Sequence, residues 1–122
     1  MCPIHVVSNG EKLRMTIDTR YPNSEVCNPH FQLETLGQFA GSVLEKGMQM
    51  VTSDITKAYY SVPLHEEAGR YFCFEVDGQV YQPLTMVTGS AQAPYYFNKL
   101  QRVLTRFLRS IGIGVNNYFD DH

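Results

Sequence analysis

Two Asx-Gly dipeptides, Asn9-Gly10 and Asp77-Gly78, each separate a pair of extended, largely apolar runs in this sequence. Both positions of such a dipeptide tolerate a positive φ, which the two-residue turn of a β-hairpin requires. The stretches "PIHVVSNGEKLRMTID" and "YFCFEVDGQVYQPL" therefore predict two β-hairpins. Any fold of this chain has to accommodate both hairpins and the helical patterns that follow each of them.

Two patterns of helical period lie downstream of the hairpins. The first starts at Thr35 and ends near Gly47, where a glycine suits a helix C-terminus. The second follows "TGSAQAP", is ended by Gly112 and Gly114, and carries a long apolar stripe. The stripe, which predicts a buried helix face, consists of Tyr96, Phe97, Leu100, Val103, Leu104, Phe107, Leu108 and Ile111.

Three further segments complete the predicted order of elements. "TRYPNSEVCNPHF" reads as loop, "MQMVTSDI" as a strand ending near Asp54, and "VNNYF" as a strand that runs to Asp120-Asp121. The order hairpin, helix, strand, hairpin, helix, strand predicts an α+β fold, with helices packed on one face of a mainly antiparallel sheet.

Composition sets only broad bounds on this chain. Its 122 residues predict one domain, and 43% hydrophobic residues predict a folded core. The net charge of −2 lacks the basic excess typical of nucleic-acid binders, although a local basic groove is compatible with it. Three cysteines without C-x-x-C spacing predict free thiols in an intracellular protein of the cytoplasm or nucleus. No apolar run is long enough to predict a membrane span or a signal peptide.

The acids at the two predicted strand ends admit two interpretations. Taken singly, Asp54 is typical of a helix cap, and Asp120-Asp121 of a solvated turn. If the strands are neighbours, the carboxylates converge and repel each other unless cations neutralise them. Hard oxygen ligands of this kind suit Mg²⁺, and a pair of such ions activates one oxygen while stabilising a departing one.

Four motifs in a fixed order distinguish these interpretations. They are "KLRMTIDTRYPN", with Arg14, Asp18, Arg20 and Asn23, then "SDITKAYYSVPL", "GSAQAPYYF" and "YFDD". Together they make the chain similar to the reverse transcriptase family over essentially all of its 122 residues. The run "APYYFNKLQRVLTRFLRSIGIGVNNYFDD" is most similar to the DIRS/Ngaro group, and the chain generally resembles retrotransposon enzymes of that group and of the LTR group.

The resemblance implies a partial right-hand polymerase, with fingers and a fingertip hairpin in 1–47 and palm in 48–122, truncated after the third motif. The implied activity is RNA-directed DNA polymerisation from a primer on an RNA or DNA template with dNTPs. Thumb and RNase H regions would belong to the parent polyprotein, and the isolated piece would be inactive or barely active. The alternative is an inactive or co-opted remnant that binds nucleic acid or protein. A viral RNA-dependent RNA polymerase is disfavoured, because Tyr59 matches the bulky gate against a ribose 2′-hydroxyl.

The resemblance also implies roles for individual residues. The catalytic residues, which would also hold two Mg²⁺ ions (with Mn²⁺ as an alternative), are Asp54, Asp120 and Asp121. The nucleotide-binding residues are Arg14, Tyr59, Gly89 and Ile55. The template-primer residues are Asp18, Arg20, Gln92 and Tyr118.

The chain also departs from the family pattern at several positions. Val7 and Ser8 occupy the stretch where the family usually carries a lysine that meets the triphosphate. Thr88 precedes the glycine of the second motif, and Lys57 replaces a frequently acidic residue. These departures bear on activity rather than on fold.

Three arginines, Arg102, Arg106 and Arg109, recur at helical spacing on the face of the long helix away from its apolar stripe. A solvated face is the simpler interpretation. Contact with a nucleic-acid backbone is the more specific one.

Overall fold

The structure is a computed structural model that describes residues 1–8, 10, 12–33 and 35–117. Asn9, Tyr118, Asp120 and Asp121, on which several predictions fall, lie outside the described residues. The described chain divides into two compact units, which are considered separately. The first consists of Met1–Pro29 and Lys57–Pro94, and the second of His30–Thr56 and Tyr95–His122.

Both predicted hairpins are confirmed. Strands β1 (Ile4–Ser8) and β2 (Leu13–Ile17) pair antiparallel, and so do β3 (Phe74–Val76) and β4 (Gln79–Tyr81). In the second turn Asp77 and Gly78 both have positive φ, 50° and 77°, as a tight hairpin turn demands. The cross-strand rings of Phe74 and Tyr81 stack at 5.8 Å between centroids, which reinforces this short ladder.

The helices agree with the sequence in part. Helix α1 (Arg20–Ser24) lies where a loop was predicted, since Pro22 falls within the first turn, where its missing N–H is tolerated. Helix α2 (Leu36–Val43) begins at a capping box of Thr35 and Gln38 and ends before Gly47, which has a φ of 96° in the following turn. The remaining helical elements are α3 (Glu66–Gly69), α4 (Ala93–Ser110) and the 3₁₀ turns Ala58–Ser61 and Arg70–Phe72.

One predicted strand is absent, and the other falls partly outside the described residues. Residues 48–56 form no strand and are exposed throughout, and the described residues 115–117 form none either. A strand is stable only when a neighbour accepts and donates its backbone hydrogen bonds, and no strand partner for 48–56 exists among the described residues. In place of a single sheet, the described chain contains two separate two-stranded sheets, so the mixed α and β content is confirmed but the single sheet is not.

The core is small in both units. In the first unit Cys2, Met86, Val87 and Ala93 are buried, and an isolated bridge joins Pro63 to Thr85. The loop 82–86 is tied to 62–64 by hydrogen bonds from the Leu64 N–H to the Leu84 carbonyl and from the Met86 N–H to the Val62 carbonyl, both 2.9 Å. In the second unit the buried apolar residues are Phe39 and Phe97.

The apolar stripe of α4 is mostly exposed. Phe97 joins the core as predicted, with 4% exposure, but the other large side chains of the stripe do not. Exposures between 50% and 65% are found for Tyr96, Leu100, Val103, Leu104, Phe107 and Ile111. Helical periodicity therefore identified an apolar face of α4 without identifying what packs against it.

Candidate functional site

The turn that precedes α4 is held by two side chains from the end of β2 and the start of α1. The Thr19 hydroxyl donates to the Gly89 carbonyl at 2.7 Å, and Asn23 Nδ2 donates to the same oxygen at 3.0 Å. Asn23 Oδ1 accepts from the Ala91 N–H at 2.9 Å, so one carboxamide bridges two backbone groups of the turn. Thr19 is 5% exposed and Asn23 is half-buried, whereas Gly89 lies at the surface, so the network is shielded from water on the Thr19 side only.

Local backbone geometry explains why these residue types stand here. Thr19 and Asn23 are four positions apart across the start of α1, so their side chains share one face, and Asn23 Nδ2 also donates to Thr19 Oγ1 at 3.2 Å. Gly89 has a φ of 95°, and a Cβ there would lie 3.1 Å from Thr19 Oγ1. Glycine therefore satisfies both the left-handed backbone and the close approach of Thr19.

Asp18 and Arg20 form a side-chain pair beside this network. The Arg20 guanidinium donates from Nη2 to Asp18 Oδ2 at 2.6 Å and from Nε to both oxygens at 3.0 Å. The Arg20 backbone N–H donates to Oδ1 at 3.1 Å. These hydrogen bonds from Arg20, the side-chain ones first, lower the pKa of Asp18 to about 2, so the carboxylate is ionised at neutral pH. Asp18 and Arg20, both predicted to contact template or primer, thus form an ion pair with each other.

Arg14 lies on β2, the exposed second strand of the first hairpin, directly opposite Val7. Opposed residues in an antiparallel pair project from the same face, so the isopropyl group of Val7 stands beside the guanidinium. No hydrogen bond or ion pair joins Arg14 to another described residue. The guanidinium therefore presents its donors to solvent, where an anionic ligand can reach them.

Asp54 and Ile55 lie in the irregular stretch 48–56 of the second unit. Both side chains are exposed, and Ile55 has 42% exposure. Within the described part of the chain the Asp54 carboxylate has no ion pair or hydrogen bond. Its two oxygens are therefore unengaged acceptors.

Tyr59 belongs to the 3₁₀ turn Ala58–Ser61 of the first unit. The turn follows Lys57, whose φ of 55° places it in the left-handed region. Tyr59 is partly buried, and burial raises the pKa of its hydroxyl, whereas the neighbouring Tyr60 is 54% exposed. Of the adjacent pair, Tyr59 is thus the ring anchored against the protein.

A comparison with protein-family models identifies residues 9–122 as a match to the family described as reverse transcriptase (RNA-dependent DNA polymerase). The chain belongs to the reverse transcriptase family. No curated protein matches the chain significantly. The retroelement subgroup is not resolved by the family match, so the similarity to the DIRS/Ngaro and LTR groups stays a prediction.

The network around Gly89 connects two of the motifs on which the resemblance to the family rests. The motif that contains Asp18, Arg20 and Asn23 and the motif that contains Gly89 meet in one hydrogen-bonded cluster of the first unit. Arg14 and Tyr59 belong to the same unit. Asp54 belongs to the second unit, and its predicted partners Asp120 and Asp121, like Tyr118, lie outside the described residues.

Two side chains make contacts that the motifs alone do not specify. Gln92, predicted to meet the template, donates from Nε2 to the Cys27 carbonyl at 2.9 Å and so fastens the loop before residue 30. Thr19, which lies between Asp18 and Arg20 in the sequence and is not among the predicted site residues, is the most buried member of the network. Its position between two motif residues was the sole available signal, because a single threonine has no distinctive pattern.

Of the three acids predicted to hold metal ions, only Asp54 lies among the described residues. Among the described residues no three His, Cys, Asp or Glu side chains cluster in a way that would hold a metal ion. Asp54 contributes a hard, unengaged carboxylate, the donor type that Mg²⁺ prefers. The chemistry of this donor fits the ion that the family generally uses.

In the described part of the chain, no helix is long and apolar enough to cross a membrane.

Proposed function

We propose that this chain supplies the fingers and palm of a retroelement RNA-directed DNA polymerase, which extends a primer 3′-hydroxyl with dNTPs on an RNA or DNA template. The family match over residues 9–122 carries the proposal, because that range holds the three acids and most of the fingertip hairpin. The cluster of Asn23 with Gly89 supports it, since two family motifs distant in sequence meet there.

The three acids are the proposed metal ligands. Asp54 and Asp120 bind directly, and Asp121 is a further ligand or an electrostatic support. When bound, two Mg²⁺ ions would lower the pKa of the primer hydroxyl and neutralise the charge of the leaving pyrophosphate. By holding the ions, the three carboxylates would bring the primer end and the triphosphate together, and such positioning provides much of the acceleration in nucleotidyl transfer.

Four other residues act on the nucleotide. The solvent-facing guanidinium of Arg14 binds the triphosphate oxygens through its planar fork of donors. The Tyr59 ring excludes a ribose 2′-hydroxyl, an expectation that its partial burial supports because an anchored ring cannot swing aside freely. Gly89 lets the backbone approach the nucleotide or template base, and Ile55 contacts the nucleotide beside Asp54.

One observation favours a second candidate function, a co-opted module that binds nucleic acid or protein without catalysis. Val7 faces Arg14 across the hairpin, so the strand position beside this arginine carries no second cation for a triphosphate. Primer extension distinguishes the two functions.

The experiment measures Mg²⁺-dependent primer extension on an RNA template by the polypeptide of the complete reading frame that contains the chain. Asp54→Asn should reduce the rate by at least about 100-fold, because loss of supporting groups around a metal alone costs about 10- to 100-fold. Glu45→Gln, which removes one exposed carboxylate from the same unit, is the matched control and should retain full activity. Extension that survives Asp54→Asn, or none by the unaltered polypeptide, would contradict the catalytic proposal.

A further inference from the structure

A cleft of about 190 Å³ lies wholly within the second unit, along the polar face of α4. The opposite wall comes from residues 32–33 and 116–117. The described lining includes three arginines and no carboxylate. Such a cleft is suited to an anion.

Hydrogen bonds fix the walls of this cleft. The Arg109 guanidinium donates from Nε and Nη2 to the Val115 carbonyl, at 3.1 and 2.7 Å, which draws the segment after α4 back along the helix. Asn117 Nδ2 donates to the Gln101 carbonyl at 3.2 Å and also to Thr105 Oγ1. The cleft is therefore bounded by ordered side chains on both sides rather than by exposed side chains alone.

Two of the arginines are available to a ligand. Arg102 and Arg106 are exposed, and neither has a hydrogen bond or ion pair to a described residue. Along α4 the charged residues are Lys99 and the three arginines, with no acid among them. Like charges three or four positions apart repel each other, and a bound anion relieves that repulsion. A guanidinium also presents paired N–H donors that match phosphate oxygens.

The volume of the cleft limits the size of the group that it can hold. About 190 Å³ is several times the ~30 Å³ share of one water molecule. It is less than the roughly 300 Å³ at which pockets begin to bury complete small molecules. The cleft thus suits one anionic group, such as a phosphate that belongs to a larger molecule.

We propose that this cleft binds a phosphate group through Arg102 and Arg106, with Arg109 fixing its wall. The identity of the molecule that carries this phosphate rests on the proposed function. For a polymerase, it is the phosphodiester backbone of a template or primer. A free phosphate offers the same chemistry. The cleft would then add a nucleic-acid contact on α4, outside the acids proposed for catalysis.

The test compares two double variants that change the net charge equally. Arg102→Gln/Arg106→Gln removes both proposed ligands, and Gln retains a similar helix propensity. Lys46→Gln/Lys99→Gln removes two positive charges from the same unit, at residues that do not line the cleft. The Lys99 ammonium lies 4.7 Å from the centre of the Tyr95 ring instead. Circular dichroism checks that both variants retain the helix content of the unaltered chain.

Binding of a single-stranded oligonucleotide is measured against salt concentration, without Mg²⁺ or dNTP. Loss of two phosphate contacts should reduce the slope of log K against log salt by about 1.4, since each contact on a single strand contributes ~0.7. The lysine double variant should keep the slope of the unaltered chain. Equal changes in both variants, or no change in the arginine variant, would overturn the proposal.

A second arm separates the two sources of phosphate. ¹⁵N NMR of the arginine Nε–H groups is recorded while inorganic phosphate or the oligonucleotide is added at constant ionic strength. Shifts of Arg102 and Arg106 with the oligonucleotide support the nucleic-acid source, and shifts with phosphate alone support the free-phosphate source. Absence of shifts with either ligand overturns the site. Because no catalysis is measured, a failure of Asp54 as a metal ligand leaves this result unaffected.

Discussion

The network around Gly89 makes a quantitative prediction for Asn23→Ala. The substitution removes the acceptor of the Ala91 N–H and one of two donors to the Gly89 carbonyl. An N–H left without a partner costs about 1–3 kcal/mol, and the lost second bond adds about 0.5–1 kcal/mol. Thr19 still donates to the Gly89 oxygen, so no further acceptor is left unpaired, and we expect a total loss of about 1.5–4 kcal/mol in the free energy of unfolding.

Urea unfolding followed by circular dichroism measures this loss. With a slope of about 2 kcal/mol per molar urea, the midpoint for Asn23→Ala should fall by about 0.8–2 M. Ser24→Ala is the matched control in the same helix, because the Ser24 hydroxyl makes only exposed bonds, to the Tyr21 carbonyl at 2.7 Å and to Glu25 Oε1 at 3.5 Å. It should cost no more than about 0.5 kcal/mol, as exposed surface substitutions usually do. Equal midpoints for the two variants would refute the reasoning.

Three further predictions follow from single contacts. Gly69→Ala should lower the free energy of unfolding by about 1–3 kcal/mol in the same urea assay, because the new Cβ would lie 2.7 Å from a side-chain nitrogen and 2.9 Å from a carbonyl oxygen. The Asp18 carboxyl should titrate by ¹³C NMR with a pKa of about 2, since Arg20 stabilises its charged form. Because the folded pKa is depressed, the pair's contribution to stability is full above the ordinary value of 3.8 and is lost as pH falls through about 2. Val7→Lys should raise the affinity for a fluorescent dNTP by up to about fivefold, the effect of one exposed ion pair, because the new cation stands beside Arg14.

Each of these predictions has its own control. Gly41→Ala places a methyl group where no atom lies within 4 Å, so stability should be unchanged or slightly higher. Arg20→Gln should return the Asp18 pKa toward 3.8, and an unchanged pKa would contradict the role of the pair. Val6→Lys adds the same charge on the other face of β1, so a gain in dNTP affinity equal to that of Val7→Lys would contradict the placement of the triphosphate.

The sequence predicted the local elements of this chain more successfully than their packing. Asp77-Gly78 identified a hairpin because its turn geometry depends on two adjacent residues. Thr35 with Gln38 likewise starts α2 through contacts within one turn. The strand predicted before Asp54 failed because its formation depends on a neighbouring strand, which local sequence does not specify.

The candidate site shows the same division. Motif order identified Asn23 and Gly89, but it did not predict that their side chain and carbonyl meet, nor that Thr19 is buried between them. Such contacts depend on the path of the chain between distant segments. The positive φ of Lys57 was equally inaccessible, because lysine has no preference for that conformation.

The central claim is that Asp54 and Asp120 hold the same metal ion, and Mn²⁺ binding to the chain tests it directly. Electron paramagnetic resonance gives the affinity of the unaltered chain and of Asp54→Asn, Asp120→Asn and the double variant. If both carboxylates share one ion, each single change should weaken binding at least about tenfold. The double change should then cost little more than either alone, the non-additivity expected of groups that act together. Losses that add independently, or an affinity unchanged by Asp54→Asn, would contradict the claim.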